Sequence, residues 1–198
     1  MDISALAETS TLRHLNLNDT PVTDISILEN LHDLRSIKLN GTGVTDISPI
    51  GRLKNLTDLS IRDTAIDDLE SLKNIGLLEN LDVGQTSLAA FPELPIGSKL
   101  KGINISKTAI SNVEWLDAAD DLTGLIAMDV DLSNLSGLEG KTRLQHLRLD
   151  GSNVTDLSPI SDAISLQLLS IWGNPVEDIS PVGNLPNLQY LVLIDTRI

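Results

Sequence analysis

Aspartates recur at one position along the chain, and their carboxylates are the groups that most directly suggest chemistry. The carboxylates separated by multiples of 22 residues are those of Asp2, Asp24, Asp46, Asp68, Asp156 and Asp178. Stacked carboxylates can bind calcium, which takes several oxygen ligands. They can equally cap turns and helix N-termini, since a repeated turn needs the same acceptor each time. Because calcium would need ligands beyond one carboxylate per repeat, the spacing favours capping.

Histidines, cysteines and catalytic motifs give no basis for an enzyme. His14 and His146 are six repeat lengths apart, too far to share a metal ion, and His32 stands at a different position. The lack of cysteine excludes disulfides, thiolate zinc sites and cysteine nucleophiles. No phosphate-binding loop, G-x-S-x-G elbow or H-E-x-x-H helix occurs. We therefore predict no enzyme activity, no catalytic residue, no cofactor and no metal site.

The elements that must position these residues follow from a period of 22 residues. Each repeat opens with a leucine, at Leu12, Leu34, Leu56, Leu78, Leu100, Leu122, Leu144, Leu166 and Leu188. A unit of this size cannot bury an apolar face alone and must stack on its neighbours. The period therefore indicates a solenoid.

The segment 34–55, LRSIKLNGTGVTDISPIGRLKN, shows how one repeat is built. Ile37 and Leu39 are two residues apart, so they share one face of a short strand. Apolar residues then recur in steps of three, which suits a 3₁₀ or helical return segment. Ser48 before Pro49 predicts an N-cap followed by proline at the first helical position. Successive strands are expected to pair in parallel, ~4.8 Å apart.

The recurring pattern L-x-x-L-x-L-x-x-T-x-V-x-D-I-S-P-I-x-x-L resembles the leucine-rich repeat family, and within it the 22-residue bacterial class typified by internalins. The resemblance covers nearly the whole chain. It implies an α/β fold, a right-handed solenoid in the form of a horseshoe or arc, with a parallel concave β-sheet and short 3₁₀ or α return segments. Where the family commonly has asparagine, most repeats here have threonine, and asparagine occurs only as Asn174. We predict a threonine ladder that bonds the turn backbone with fewer hydrogen bonds than an amide would make.

Unbroken periodicity predicts a single leucine-rich-repeat domain over residues 1–198. A partial coil covers 1–11, full coils begin at 12, 34, 56, 78, 100, 122, 144 and 166, and a partial coil covers 188–198. In the fourth coil, Pro92 and Pro95 predict an extended return in place of a helical one. Neither end shows a polar capping unit, so we expect a segment of a longer repeat protein, able to associate end to end through bare strands.

The net charge and the distribution of apolar residues exclude some classes of partner. The net charge of −14 and pI near 4.4 argue against nucleic acid and anionic membranes, which both require a basic surface. No apolar run approaches the ~20 residues of a membrane span, and no targeting segment is present, so we predict a soluble stretch without membrane insertion. The cellular compartment stays unknown.

Outward-facing strand residues should form columns on the concave sheet, the binding surface that the resemblance implies. The central column is Asn16, Lys38, Ser60, Asp82, Asn104, Ile126, Arg148, Ser170 and Val192. One flanking column is Asn18, Asn40, Arg62, Gly84, Ser106, Met128, Asp150, Trp172 and Ile194. The other is His14, Ser36, Asp58, Asn80, Gly102, Gly124, His146, Leu168 and Tyr190.

These columns predict two sets of partner-binding residues. An apolar group with tryptophan and tyrosine has the composition of an interface hot spot. It comprises Leu168, Trp172, Tyr190, Val192 and Ile194, with Arg148 and Met128 beside it. The alternative is that further coils cover this patch. A secondary, basic set comprises Arg35, Lys38 and Arg62.

The resemblance implies a protein–protein interaction module that presents a rigid concave sheet to an unidentified protein partner. An alternative from another class is the recognition or autoinhibitory arm of a larger effector or signalling protein, with a catalytic domain outside this segment. A structural spacer or adhesin is the third possibility.

Overall fold

The strands repeat with the same 22-residue period as the leucines. The computed structural model describes residues 1–132 and 134–198, and in these residues nine three-residue strands form one sheet. They are β1 His14–Asn16, β2 Ser36–Lys38, β3 Asp58–Ser60, β4 Asn80–Asp82, β5 Gly102–Asn104, β6 Gly124–Ile126, β7 His146–Arg148, β8 Leu168–Ser170 and β9 Tyr190–Val192. The sheet order follows the chain order from β1 to β9.

Every strand pairs in parallel with its neighbour, in a register that matches equivalent residues of adjacent coils. His14 lies opposite Ser36, for example, and Leu168 opposite Tyr190. Parallel neighbours require a crossover connection, which each coil supplies through its return segment. The predicted solenoid with a parallel β-sheet is confirmed.

The return segments are 3₁₀ helices, and the described residues contain no α-helix. The eight helices are η1 Ser4–Glu8, η2 Ser26–Asn30, η3 Ser48–Arg52, η4 Glu70–Asn74, η5 Glu114–Ala118, η6 Ser136–Leu138, η7 Ser158–Ile160 and η8 Ser180–Asn184. Residues 90–96 contain none, as the two prolines of the fourth coil predict. Across the part of the chain that the structure describes, no helix is long and apolar enough to cross a lipid bilayer.

The core is a continuous stack of aliphatic side chains between the sheet and the return segments. One cluster of buried residues extends from Ile3 in the N-terminal partial coil to Leu185 in the eighth coil. Ile37 and Leu39 of the second coil are fully buried, as the strand pattern predicts. Each coil therefore buries its apolar face mainly against the coils before and after it.

The threonine ladder is confirmed. The hydroxyl of each ladder threonine donates to the carbonyl three residues earlier, as Thr64 Oγ1 does to Ile61 O at 2.6 Å. The ladder comprises Thr20, Thr42, Thr64, Thr86, Thr108 and Thr196. The side-chain amide of Asn174 makes more hydrogen bonds than a threonine hydroxyl. Its Nδ2 donates to Leu149 O at 2.7 Å and to Ile171 O at 2.9 Å, and its Oδ1 accepts two backbone N–H groups of the preceding coil. One asparagine thus connects two coils where a threonine holds its own turn.

Candidate functional site

The predicted apolar residues lie together on β8 and β9. Leu168 is paired with Tyr190, and Val192 lies opposite Ser170. Trp172 follows β8 and Ile194 follows β9, joined by a backbone hydrogen bond from Gly173 N to Ile194 O at 2.8 Å. We name this set the C-terminal apolar face: Leu168, Trp172, Tyr190, Val192 and Ile194. Trp172 is 51% exposed, Tyr190 64% and Ile194 61%.

Trp172 is held at two points although half of it is exposed. Its backbone N–H donates to the buried carboxylate of Asp150 at 3.1 Å, and the same oxygen accepts the Ser170 hydroxyl. Its indole Nε1 donates to Asp195 Oδ2 at 3.0 Å. The ring is therefore oriented before any partner arrives, which lowers the conformational entropy that binding would cost.

Arg148 and Met128 lie on the coils preceding this face. Arg148 is in β7, opposite Ser170, and its guanidinium Nη2 is 3.6 Å from Asp150 Oδ2. Its side chain stays about half exposed. Met128 is partly buried, and its backbone N–H donates to Ser106 Oγ at 3.1 Å. Both residues lie between the C-terminal apolar face and the middle of the sheet.

The three basic residues of the second set do not form one cluster. All three are exposed. The register places Arg35 beside Thr57, whereas Arg62 follows β3 at the other end of that strand, five residues further along and thus roughly 16 Å away. Arg62 Nε donates to Gln85 Oε1 at 2.8 Å, and Lys38 lies between the two ends, opposite Ser60. A partner would meet these cations separately.

Several polar residues of the predicted columns hold the backbone of the next coil. Asn18 Oδ1 accepts Asn40 N at 3.0 Å, and Asn40 Oδ1 accepts Arg62 N at 2.8 Å. Ser106 and Asp150 play the same part for Met128 and Trp172. The sequence signal for this role is an acceptor oxygen at four positions of one flanking column, Asn18, Asn40, Ser106 and Asp150. These side chains mainly bind the backbone of the next coil, which leaves them less free to contact a partner.

The acidic ladder caps the return segments, as the spacing favours. Asp24 Oδ1 accepts Ser26 N at 2.8 Å, and Asp46 Oδ1 accepts Ser48 N at 2.7 Å. The predicted cap role of Ser48 is wrong: it is the first residue of η3, and its hydroxyl bonds to Asp46. In the described ranges, no group of three His, Asp or Glu residues could hold a metal ion.

These caps predict a pH-dependent contribution to stability. The Ser26 N–H, and then its hydroxyl, hold the pKa of Asp24 below its ordinary value, and Ser4 and Ser180 do so for Asp2 and Asp178. A lowered folded-state pKa stabilises the protein above the ordinary aspartate pKa of about 3.9, and the contribution is lost as pH falls through the lowered pKa.

Asp24→Asn keeps the acceptor oxygen but does not titrate, as Asn134 shows by accepting Ser136 N at 2.8 Å. We expect wild type to melt at a higher temperature than Asp24→Asn at pH 7, with the difference shrinking below pH ~4. Thermal melts followed by circular dichroism from pH 2 to 8 measure this. A difference that is constant over this range would contradict the assignment.

A groove crosses the middle of the same sheet face, and the sequence reasoning missed it. It extends from β2 to β7 and has a volume of about 470 Å³. Gly102 and Gly124, neighbours in the sheet, leave its centre without side chains, while Asp58, Asp82 and Ile126 also line it. The only sequence signal was two adjacent glycines in one outward column.

Known proteins share this architecture. A family model of leucine-rich repeats, two copies, matches residues 10–52. No curated protein matches the sequence. The structure is similar to an internalin, InlF, from Listeria monocytogenes, with a TM-score of 0.93 and 25% identity over 99% of this chain and 58% of that one. The chain therefore spans little more than half the length of InlF.

Two further solved structures show the breadth of the fold. Internalin C2 from Listeria monocytogenes has a TM-score of 0.89 and 22% identity, over 96% of this chain and 91% of that chain. A plant peptide hormone receptor, RGFR1, solved in complex with RGF2, has a TM-score of 0.81 and 19% identity, over 99% of this chain and 34% of that one. The fold is a leucine-rich-repeat solenoid, similar to those of the internalins.

Proposed function

We propose that the chain is a protein-interaction module that presents its concave sheet to a protein partner, with the C-terminal apolar face as the main anchor. The observation that carries this proposal is Trp172, which is half exposed yet fixed at both its backbone and its indole N–H. Exposed aromatic residues that are already ordered are the residues that dominate protein interfaces. The peptide complex of the plant receptor supports a protein or peptide as the class of partner.

The surrounding residues extend this surface in two directions. Arg148 adds a cation next to the apolar face, and Met128 adds a flexible apolar contact. Arg35, Lys38 and Arg62 would contact a partner that reaches the N-terminal coils at separate points. A net charge of −14 disfavours nucleic acid as the partner. No residue is assigned a catalytic role.

Affinity capture with matched variants tests this proposal. The double variant Trp172→Ala/Tyr190→Ala removes the two aromatic anchors. Ile164→Ala removes a side chain of similar exposure, 50%, from the turn before β8 and serves as control. We expect one protein to be retained by wild type and the control and to lose at least roughly tenfold in affinity for the double variant. Equal affinity for all three would refute the anchor role.

A second candidate is the recognition or autoinhibitory arm of a larger protein. The chain spans 58% of InlF and 34% of the plant receptor chain, both longer chains that include the same fold, and 91% of internalin C2. The proposal is tested by the reading frame on both sides of the encoding sequence. A catalytic domain in that frame would support it, and its absence would exclude it.

End-to-end association through sheet edges is a further proposal. β1 and β9 each have a neighbour on one side only in the described sheet, and Leu191 of β9 is 39% exposed. Unpaired strand edges are templates for pairing with another chain. Light scattering over a hundredfold concentration range should show a rising mass. A constant monomer mass would contradict the proposal.

A further inference from the structure

The groove at the centre of the sheet lies apart from the C-terminal apolar face. It is lined by outward residues of β2 to β7, and its volume of about 470 Å³ is typical of ligand-binding clefts. Lys38 lines one end and His146 the other, while Asp58 and Asp82 line the part between β3 and β4. The two carboxylates therefore lie toward the Lys38 end of the groove, and no described residue from β5 to β7 lines it with a carboxylate.

The two glycines of the floor are not required by the backbone. Neither is among the residues with positive φ. A Cβ on Gly124 would meet nothing closer than His146 O at 4.0 Å, and one on Gly102 would meet only the flexible Asn80 side chain, at 3.0 Å. Glycine weakens a strand, so these positions cost stability that a side chain would recover. What the glycines provide is open space on the exposed face.

The carboxylates beside this space have hydrogen bonds but no cation. Asp58 accepts Asn80 Nδ2 at 2.8 Å and Thr57 Oγ1 at 2.6 Å, and Asp82 accepts Gly84 N at 3.0 Å. Among the described residues, neither carboxylate forms an ion pair. By contrast, Glu79 at the edge of the same sheet is paired with Lys101 at 2.8 Å. These two carboxylates are therefore available to pair with a cation from outside the chain.

We infer that this groove binds an arginine or lysine side chain from a basic segment of the protein partner. The cationic group would pair with Asp82 and Asp58, and the aliphatic stem would lie on Gly102 and Gly124 against Ile126. Asp82 of β4 lies opposite Asn104 of β5, and Gly102 lies opposite Asn80, so Asp82 and Gly102 are diagonal neighbours roughly 8 Å apart, a distance that such a side chain spans. This inference rests on the proposed function and specifies the chemistry of the partner.

The test uses random dodecapeptides displayed on phage and selected against the immobilised chain. Gly124→Leu fills the floor, and Asp82→Asn removes the charge while keeping an acceptor for Gly84 N. Asp46→Asn changes the net charge equally but lies at a return-segment cap, so it is the matched control. Thermal melts verify that each variant is folded.

We expect the selected peptides to be enriched in arginine and lysine. Their affinity should fall roughly tenfold or more with Gly124→Leu and about fivefold to tenfold with Asp82→Asn, and stay within about twofold of wild type with Asp46→Asn. Replacing the peptide's arginine by alanine should remove the effect of Asp82→Asn. That coupling assigns the contact to one pair of charges.

Several outcomes would overturn the inference. These are the absence of selected binders, binders without basic enrichment, and equal binding to wild type and Gly124→Leu. Peptides that depend on Trp172 but not on Gly124 would overturn the groove while leaving the proposed interaction module in place. Peptides that depend on Gly124 but not on Trp172 would support the groove and reject the apolar anchor.

Discussion

Replacing Asn174 with alanine is expected to lower the free energy of unfolding by roughly 3–5 kcal/mol. Asn174 is 1% exposed, and its Oδ1 accepts Ser152 N at 3.1 Å and Val154 N at 2.9 Å. Neither N–H has another partner among the described residues. Alanine would leave both donors buried and unsatisfied, and it would also remove the side-chain hydrogen bond to Leu149 O and one of the two hydrogen bonds to Ile171 O. Urea denaturation followed by circular dichroism measures the change.

Two variants separate the inter-coil role of Asn174 from an ordinary turn bond. Thr64→Ala removes one hydroxyl bond, to Ile61 O, and should cost about 1 kcal/mol. Asn174→Thr can restore the bond to Ile171 O but cannot satisfy both N–H groups, so its stability should lie between those of wild type and Asn174→Ala. An Asn174→Ala variant as stable as Thr64→Ala would contradict the connection between coils.

Replacing Gly137 with alanine is expected to destabilise the protein by about 3 kcal/mol or more. Gly137 is buried in η6, and a Cβ there would meet Val113 O at 1.9 Å and Val113 C at 2.6 Å. Both are backbone atoms and cannot turn aside, so the fifth and sixth coils would have to separate. We expect the melting temperature to fall on the order of 10 °C.

Gly183→Ala is the matched control, because Gly183 also lies in a 3₁₀ helix, η8, and has no atom within 4 Å of an added Cβ. Its stability should stay within about 0.5 kcal/mol of wild type. Equal melting temperatures for Gly137→Ala and Gly183→Ala would show that these two coils are not in close contact.

The fold could be predicted from the sequence because the same pattern of apolar residues recurs in nearly every coil. Ile37 and Leu39, two residues apart, specify a strand face, and the period brings equivalent residues into register. Thr64 and Asp24 could be assigned to turn bonding and capping because each recurs at the same place. The cap role predicted for Ser48 is wrong because η3 begins at Ser48 itself. The acceptor for the Ser48 N–H is the carboxylate of Asp46, two residues earlier.

Features made by contact between particular coils could not be predicted. Ile27, Pro49 and Ser71 occupy the place of Gly137 in other coils, so its necessity follows only from the close approach of the fifth and sixth coils, marked by the bridge between Asn112 and Asn134. The period predicts that this position accepts many kinds of side chain. The packing of the fifth coil against the sixth leaves no room for one at Gly137.

The candidate site shows the same limit. Exposure of Trp172 and Tyr190 follows from their places in the outward columns. The bond from the indole to Asp195 does not, because it joins two different coils through side-chain geometry. The groove depends on what Gly102 and Gly124 lack, which becomes visible only when the neighbouring strands are in place.

Hydrogen–deuterium exchange with and without the captured partner tests the central proposition, that outward side chains of the sheet form the binding surface. We predict added protection in β3 to β9 and the turns that follow them, with the return helices η3 to η8 unchanged. Protection confined to η3 to η8, with the strands unaffected, would show that the partner binds the opposite side of the solenoid and would contradict the proposed site.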